Sequence, residues 1–218
     1  MNHLTIRKAV SVLSFASLAV VGLAATSQDT KPAAAQATGQ ATGQATAPAV
    51  EVFKVDDVHS STMFRVQHMK AGQFWGRFKD VSGTFSIADD ASKMAFAIEV
   101  AVDSVDSGEP KLDAHLKSPD FFNAKEFPKM SFKSTGGKKL ANGMYEVTGD
   151  FTMHGVTKPI TAAIEITGKA DMGMGLRAGA EATFTVKRSE FGMNYGVEKG
   201  MVGDSVKVIV NLEGTKAG

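Results

Sequence analysis

From Val50 onward, apolar and polar residues alternate with a period of two, and this limits the chain's folds more than any other feature. Successive side chains of a strand point to opposite faces, so such runs are strands with one buried and one wetted face. The clearest runs from Met144 to His154. Tyr145, Val147, Gly149, Phe151 and Met153 share one face, and Glu146, Thr148, Asp150, Thr152 and His154 the other. Met94, Phe96, Ile98, Val100 and Val102 repeat the pattern. So do Ile160, Ala162, Ile164 and Ile166; Ala182, Phe184 and Val186; and Val206, Val208, Val210 and Leu212. Phe64 with Val66, and Val81 with Gly83, Phe85 and Ile87, extend it towards the N-terminus. One-sided strands build antiparallel sheets, because parallel sheets are covered on both faces.

Turn signals separate the runs at Asp89-Asp90, Gly136-Gly137, Asn142-Gly143, His154-Gly155 and the glycines at 173 and 175. Asn-Gly between alternating runs is the strongest of these hairpin signals. About eight strands therefore fit between residues 50 and 216, and the class is all-β. The pattern is compatible with a two-sheet sandwich around a filled core and with a closed barrel around a small ligand. One segment departs from the alternation. In Glu109–Phe122, Pro110 suits a first helical turn and Leu112 and Leu116 share a helix face. Ser118 and Pro119 then restart a short turn that carries Phe121 and Phe122, so a helical segment is expected near residues 110–122. It suits a lid over one end of a barrel or a simple cover of its bottom.

The N-terminus reads differently. Arg7 and Lys8 precede an uncharged run from Ala9 to Ala25, the pattern of a signal peptide over residues 1–25. Gly22 and Ala24 supply small residues for cleavage, and removing Arg7 and Lys8 takes the net charge from +1 to −1. An uncleaved anchor is the alternative, but the run is short of the roughly 20 apolar residues of a membrane span. Residues 26–49 are rich in Ala, Thr, Gln and Gly, including a repeated Ala-Thr-Gly-Gln, and are expected to form a disordered linker. Export makes the periplasm the expected location, with secretion as the alternative.

Composition excludes several function classes. A formal charge of +1 provides no basic footprint for nucleic acid. Without cysteine there is no disulfide, thiolate metal site or thiol nucleophile. Neither a Gly-x-Ser-x-Gly elbow nor a phosphate-binding glycine loop occurs, so no catalytic residue is assigned. His59, His68, His115 and His154 lack recognised ligand spacing, and no metal site is assigned, although distant strands could assemble one. His68, and His59 with Ser60, fit a channel mouth or strand-end hydrogen bonding. Arg65, Arg77, Lys79 and Arg177 fit either a positive rim around an opening or a solvated exterior. A membrane-embedded barrel is disfavoured by the charged faces of the strands and by a total of three Trp and Tyr residues, too few for aromatic girdles.

Phe53-Lys54-Val55-Asp56 with Val58-His59-Ser60, and Gly76-Arg77-Phe78 with Val81-Ser82-Gly83-Thr84-Phe85, resemble segments of the YceI-like family. The most characteristic stretch is Asp113 to Phe122 followed by Phe127-Pro128-Lys129-Met130-Ser131-Phe132. Gly149 to Pro159 matches a later strand and turn, with Met153-His154 where the family commonly has an aliphatic residue and Asn. The resemblance spans roughly residues 50 to 214. It implies an extended, lipocalin-like, eight-stranded antiparallel β-barrel holding a polyisoprenoid, a quinone tail or a fatty-acyl-like chain. No cofactor is required beyond such a bound lipid, and transport, storage or sequestration would all use the same channel.

The 14 Phe and 11 Met residues suit such a lining, since they bring apolar area with few polar tips. The expected ligand contacts are Phe64, Val66, His68, Phe74, Trp75, Phe78, Phe85, Phe96, Ile98, Val100, Phe121, Phe122, Phe132, Phe151, Met153, Ile164, Phe184 and Phe191. The cluster around Trp75 fits one end of the channel or a packed corner. Transient contact with a membrane or a membrane redox protein, and homodimerisation, are compatible with this reading. The alternative is an enzyme or redox accessory protein acting on an isoprenoid or quinone in the same channel. It predicts a polar cluster with perturbed pKa values inside.

Overall fold

In the computed structural model, which describes residues 50–218, the alternating runs become strands of one antiparallel sheet. In chain order they are β1 (Glu51–Val55), β2 (Ser61–His68), β3 (Gly72–Phe78), β4 (Val81–Ile87), β5 (Ala95–Ala101) and β6 (Val105–Asp106). After helix α1 (Pro110–Leu116) come β7 (Lys129–Lys139), β8 (Tyr145–Met153), β9 (Val156–Asp171), β10 (Leu176–Lys187) and β11 (Val202–Lys216). The expected signal peptide and linker, residues 1–25 and 26–49, lie outside the described residues.

The first six strands are halves of three longer ones. β1 pairs with β4 and β2 with β3, and β3 continues the register onto β6 where β4 pairs with β5. Short 3-10 turns at Asp57–His59 and Val102–Ser104 interrupt the first and third of these composite strands. Counted this way, eight strands follow one another in sequence order as neighbours. β11 closes the ring by pairing with both β1 and β2. Closure pairs the last strand with the first, so neither is left as a sheet edge.

Two ends result. At the lower end short connections join β4 to β5, β7 to β8 and β9 to β10. Asn142-Gly143 lies in the β7–β8 turn, with Gly143 at φ 87° and the Asn142 side chain accepting from Met144 N–H at 3.1 Å. At the upper end lie the β2–β3 turn, the 107–128 segment with α1, the tight His154-Gly155 turn and the 188–201 segment. Gly136-Gly137 departs from expectation. It is no turn: the pair lies within β7, where the register shifts between Ser134 and Gly136, a bulge that bends the strand. The helical segment is also shorter than expected. Glu109 caps α1 by accepting from Lys111 N–H at 3.1 Å, with Pro110 in the first turn. Residues 117–122 then form turns, in which Phe121 and Asn123 donate to Ser118 C=O at 3.0 Å.

The inward faces carry the core. Phe53, Phe85 and Phe96 stack with centroids 5.5 and 6.2 Å apart, the first two almost wholly buried, on the β1–β4–β5 wall. Elsewhere two rings lie against glycines. A Cβ on Gly76 would sit 2.4 Å from the Phe64 ring, and one on Gly149 would sit 2.5 Å from that of Phe132. The rings take the space that side chains at 76 and 149 would fill.

Candidate functional site

The inward faces of β2, β3, β5 and β7–β11 enclose a cavity of about 400 Å³. Its wall is mostly aliphatic and aromatic. Phe64, Phe74 and Phe78 line the β2–β3 side, Phe96 and Ile98 the β5 side, and Phe132 and Phe151 the β7–β8 side. Phe122 projects from the turn after α1 and meets the Phe78 ring edge-on at 5.1 Å and that of Phe64 at 6.2 Å. Val206, Val208, Val210 and Leu212 of β11 complete the ring opposite Phe184 and Ala182 of β10.

All but three of the expected contacts are on this wall: Phe64, Val66, His68, Phe74, Phe78, Phe96, Ile98, Val100, Phe121, Phe122, Phe132, Phe151, Met153, Ile164 and Phe184. Trp75, Phe85 and Phe191 are corrections. Trp75 is on the outer face, 48% exposed, with the Arg65 guanidinium 5.6 Å above its ring. Its neighbours Phe74, Gly76 and Phe78 take the inward parity. Phe85 points inward but is packed between Phe53 and Phe96, outside the cavity wall. Phe191 belongs to the 3-10 turn Arg188–Phe191 and backs the Phe151 ring at 5.6 Å without reaching the cavity.

Residues of the upper segments were missed: Arg188, Met193, Tyr195, Met201 and Val202 line the cavity from a stretch with little strand periodicity. Leu112, Leu116 and His115 join from α1. Inward residues of β9–β11, such as Ile160, Ala182 and Val206, had the correct parity and were readable as wall by the rule that placed Ile164. Thr62 also lines the wall, and its Oγ1 is buried without a hydrogen-bond partner.

Arg188 is the fully charged side chain on this wall. Its Nε donates to Gly203 C=O at 2.8 Å, Nη1 to Met193 C=O at 2.9 Å, and Nη2 to Tyr195 and Val202 C=O at 2.7 and 2.8 Å. Burial pushes its pKa down, and Asp204 opposes that effect. Asp204 meanwhile accepts from Ser189 N–H and Oγ at 2.8 and 2.9 Å. This arginine clips the 188–203 segment across the upper end. His115, Phe121 and Tyr195 pack there in a mutual cluster with centroids 5.0–5.1 Å apart.

The other expected polar features lie off the cavity wall. Arg77 and Lys79 pair with Asp106 at 3.0 and 3.5 Å, and none of Arg65, Arg77, Lys79 and Arg177 lines the cavity. Asp56, His59 and Glu213 come together in a group with metal-ligand chemistry. Arg177 Nη1 is already placed against both carboxylates, 2.9 Å from Asp56 and 2.7 Å from Glu213. An internal guanidinium thus supplies the positive charge that an ion would bring. The hydrogen bonds from His59 and then Arg177 hold Asp56 down at about 2, and Asp56 in turn raises His59 above its ordinary value.

A closed meander of eight strands around one apolar cavity defines a lipocalin-like barrel. The YceI-like domain model matches residues 53–214, and the chain belongs to this family. Protein YceI of Escherichia coli O157:H7 is 35% identical over 169 residues, covering 75% of this chain and 86% of that protein. The crystal structure of BcnA from Burkholderia cenocepacia superposes with a TM-score of 0.65 at 24% identity, over 74% of this chain and 99% of its own. A polyisoprenoid binding domain from Saccharophagus degradans shares the fold with a TM-score of 0.59 at 13% identity, over 76% and 98% of the two chains.

Proposed function

We propose that this protein holds a long apolar lipid in the barrel, as an exported, periplasmic carrier or store. The observation that carries the reading is the cavity of about 400 Å³ with its apolar wall. That volume lies in the range of small-molecule sites, roughly 300–1,000 Å³. Burying apolar ligand surface contributes about 25 cal/mol per Å², or about 0.8 kcal/mol per methylene, so a prenyl or acyl chain needs no ion pair to bind. The fold it shares with the Saccharophagus degradans polyisoprenoid binding domain favours an isoprenoid chain, free or as a quinone tail.

The wall's chemistry supports binding more than turnover. Acid–base catalysis calls for groups free to exchange protons with a substrate, whereas Arg188 is committed to four carbonyls of its own chain. The uncharged run Ala9–Ala25 behind Arg7 and Lys8 supports export. Mass spectrometry of organic extracts from protein purified without detergent tests the reading. A stoichiometric prenyl or acyl lipid is expected. Protein that emerges lipid-free and fails to take up a fluorescent farnesyl probe would refute it.

A further inference from the structure

The cavity opens at the upper end. Among its lining residues His68, Tyr195 and Met201 are exposed, which places the opening between the β2–β3 turn, α1 and the 193–202 segment. Apolar side chains surround that opening. Met69 is 57% exposed, Tyr195 39% and Met201 37%. The backbone holds them together: Met69 N–H donates to Met201 C=O at 2.8 Å, and Met201 N–H to Gly196 C=O at 2.9 Å.

The hairpin tip is unusual for its residues. Ala71 N–H donates to His68 C=O at 3.0 Å, and Met69 and Lys70 between them have φ of 53° and 55°. Two successive left-handed residues make a type I′ turn, which favours Asn-Gly. A methionine and a lysine here carry backbone strain and present one apolar and one basic side chain to solvent. Lys70 lies across Gly200, next to Lys199. Around the opening, residues 69–71, 110–122 and 195–201 carry four lysines against three acidic residues, Asp113, Asp120 and Glu198. On the outer face of the same hairpin, exposed Trp75 lies beneath Arg65. Exposed apolar tips backed by lysines, with tryptophan set further back, are what an interfacial membrane contact requires.

We propose that this rim docks the barrel mouth-first onto a bilayer surface containing anionic lipid, so that ligand passes between bilayer and cavity without crossing water. The proposal rests on the lipid-binding reading above. The opposite end supplies a control. Met172 and Met174 are more exposed still, but they neighbour Asp171 in the β9–β10 turn and line no part of the cavity.

The test is co-sedimentation with vesicles of phosphatidylcholine alone or with about one quarter phosphatidylglycerol. The wild type is compared with a Met69→Asp/Lys70→Glu variant and a Met172→Asp/Met174→Asp variant. Asp is well tolerated in left-handed turns, so the first variant keeps its hairpin, as circular dichroism would verify. Expected are sedimentation of the wild type with the anionic vesicles, about tenfold weaker association of the mouth variant, and no loss in the control. The proposal is overturned if the wild type stays in solution with both vesicles, if the mouth variant sediments like wild type, or if the control loses as much. Uptake of a farnesyl probe from vesicle-free solution separates this from the underlying reading. Neither Met69 nor Lys70 lines the cavity, so that uptake is expected to match wild type. A wild type that takes up no probe would sink the lipid reading, while sedimentation alone would still decide docking.

Discussion

Thr62 and Asp56 illustrate two kinds of polar residue in this barrel, one without partners and one with several. Thr62 Oγ1 is buried with none, and an unsatisfied buried hydroxyl costs about 1–3 kcal/mol. Valine has the same shape without the hydroxyl. Thr62→Val is therefore expected to stabilise the fold by about 1 kcal/mol, read as a higher urea midpoint at unchanged slope. A lower midpoint would mean that the hydroxyl is satisfied in solution. Asp56 is the opposite case, with His59, Arg177 and the Val58 amide all donating to it. Its pKa is lowered to about 2, so its share of stability is present above the ordinary value near 3.8 and is lost as pH falls through about 2. His59 is raised from 6.5, so its share is complete below 6.5 and is lost as pH rises through the folded value. An NMR titration should find the His59 midpoint above 6.5, and Asp56→Asn should bring it back down. A midpoint that ignores this substitution would show that Asp56 is not the cause. The Asp56–His59 pair is local in sequence, but Arg177 lies 121 positions from Asp56, and only ring closure brings those two together.

Among the elements, β3 shows best how a strand makes a wall without filling the space inside. Gly76 is opposite Phe64 in the β2–β3 ladder, and the ring occupies the space that a side chain at 76 would take. Gly76→Val should therefore turn Phe64 into the cavity while the outer ladder is kept. Lipid recovered per mole of folded protein is expected to fall several-fold, and full retention would mean that the ring moves elsewhere. In the 188–203 segment one residue gathers the backbone: Arg188 donates to four of its carbonyls. Arg188→Ala strands four carbonyl acceptors and is expected to cost at least about 3 kcal/mol, measurable by chemical denaturation. β3 also marks where the sequence could be read and where it was misread. Alternation within β3 turns Phe74 and Phe78 inward and Trp75 outward, but residues 73–78 were not read as a strand. Trp75 was grouped with its neighbours as one aromatic cluster instead. Phe85 failed differently: parity tells inward from outward but says nothing of height along the barrel axis, and Phe85 sits behind Phe96, off the cavity wall. The upper segment was opaque for a third reason. Arg188, Met193 and Tyr195 reach the cavity through turns, whose side-chain directions follow no period.

At the scale of the whole molecule, the open question in the sequence was whether the barrel is hollow or filled. Alternation is identical in the two cases, since both bury the inward residues. The difference lies in side-chain volume at facing positions, which depends on register and on which rings pack against glycine. Ala182 is where the alternatives separate. It lines the cavity midway up β10, between Ile164 of β9 and Val210 of β11. In a filled core, a large side chain there would be overpacked at a cost of about 1–3 kcal/mol. In a hollow barrel, Ala182→Trp adds apolar surface to the cavity and removes room for ligand. The substitution is thus expected to leave lipid-free protein at least as stable as wild type, while co-purifying lipid falls by about tenfold or more. Thermal unfolding of delipidated samples and mass spectrometry of extracts read the two effects separately. Loss of both stability and lipid would instead favour a filled core at this level. Retention of lipid at full stoichiometry would show that the ligand does not reach the level of Ala182.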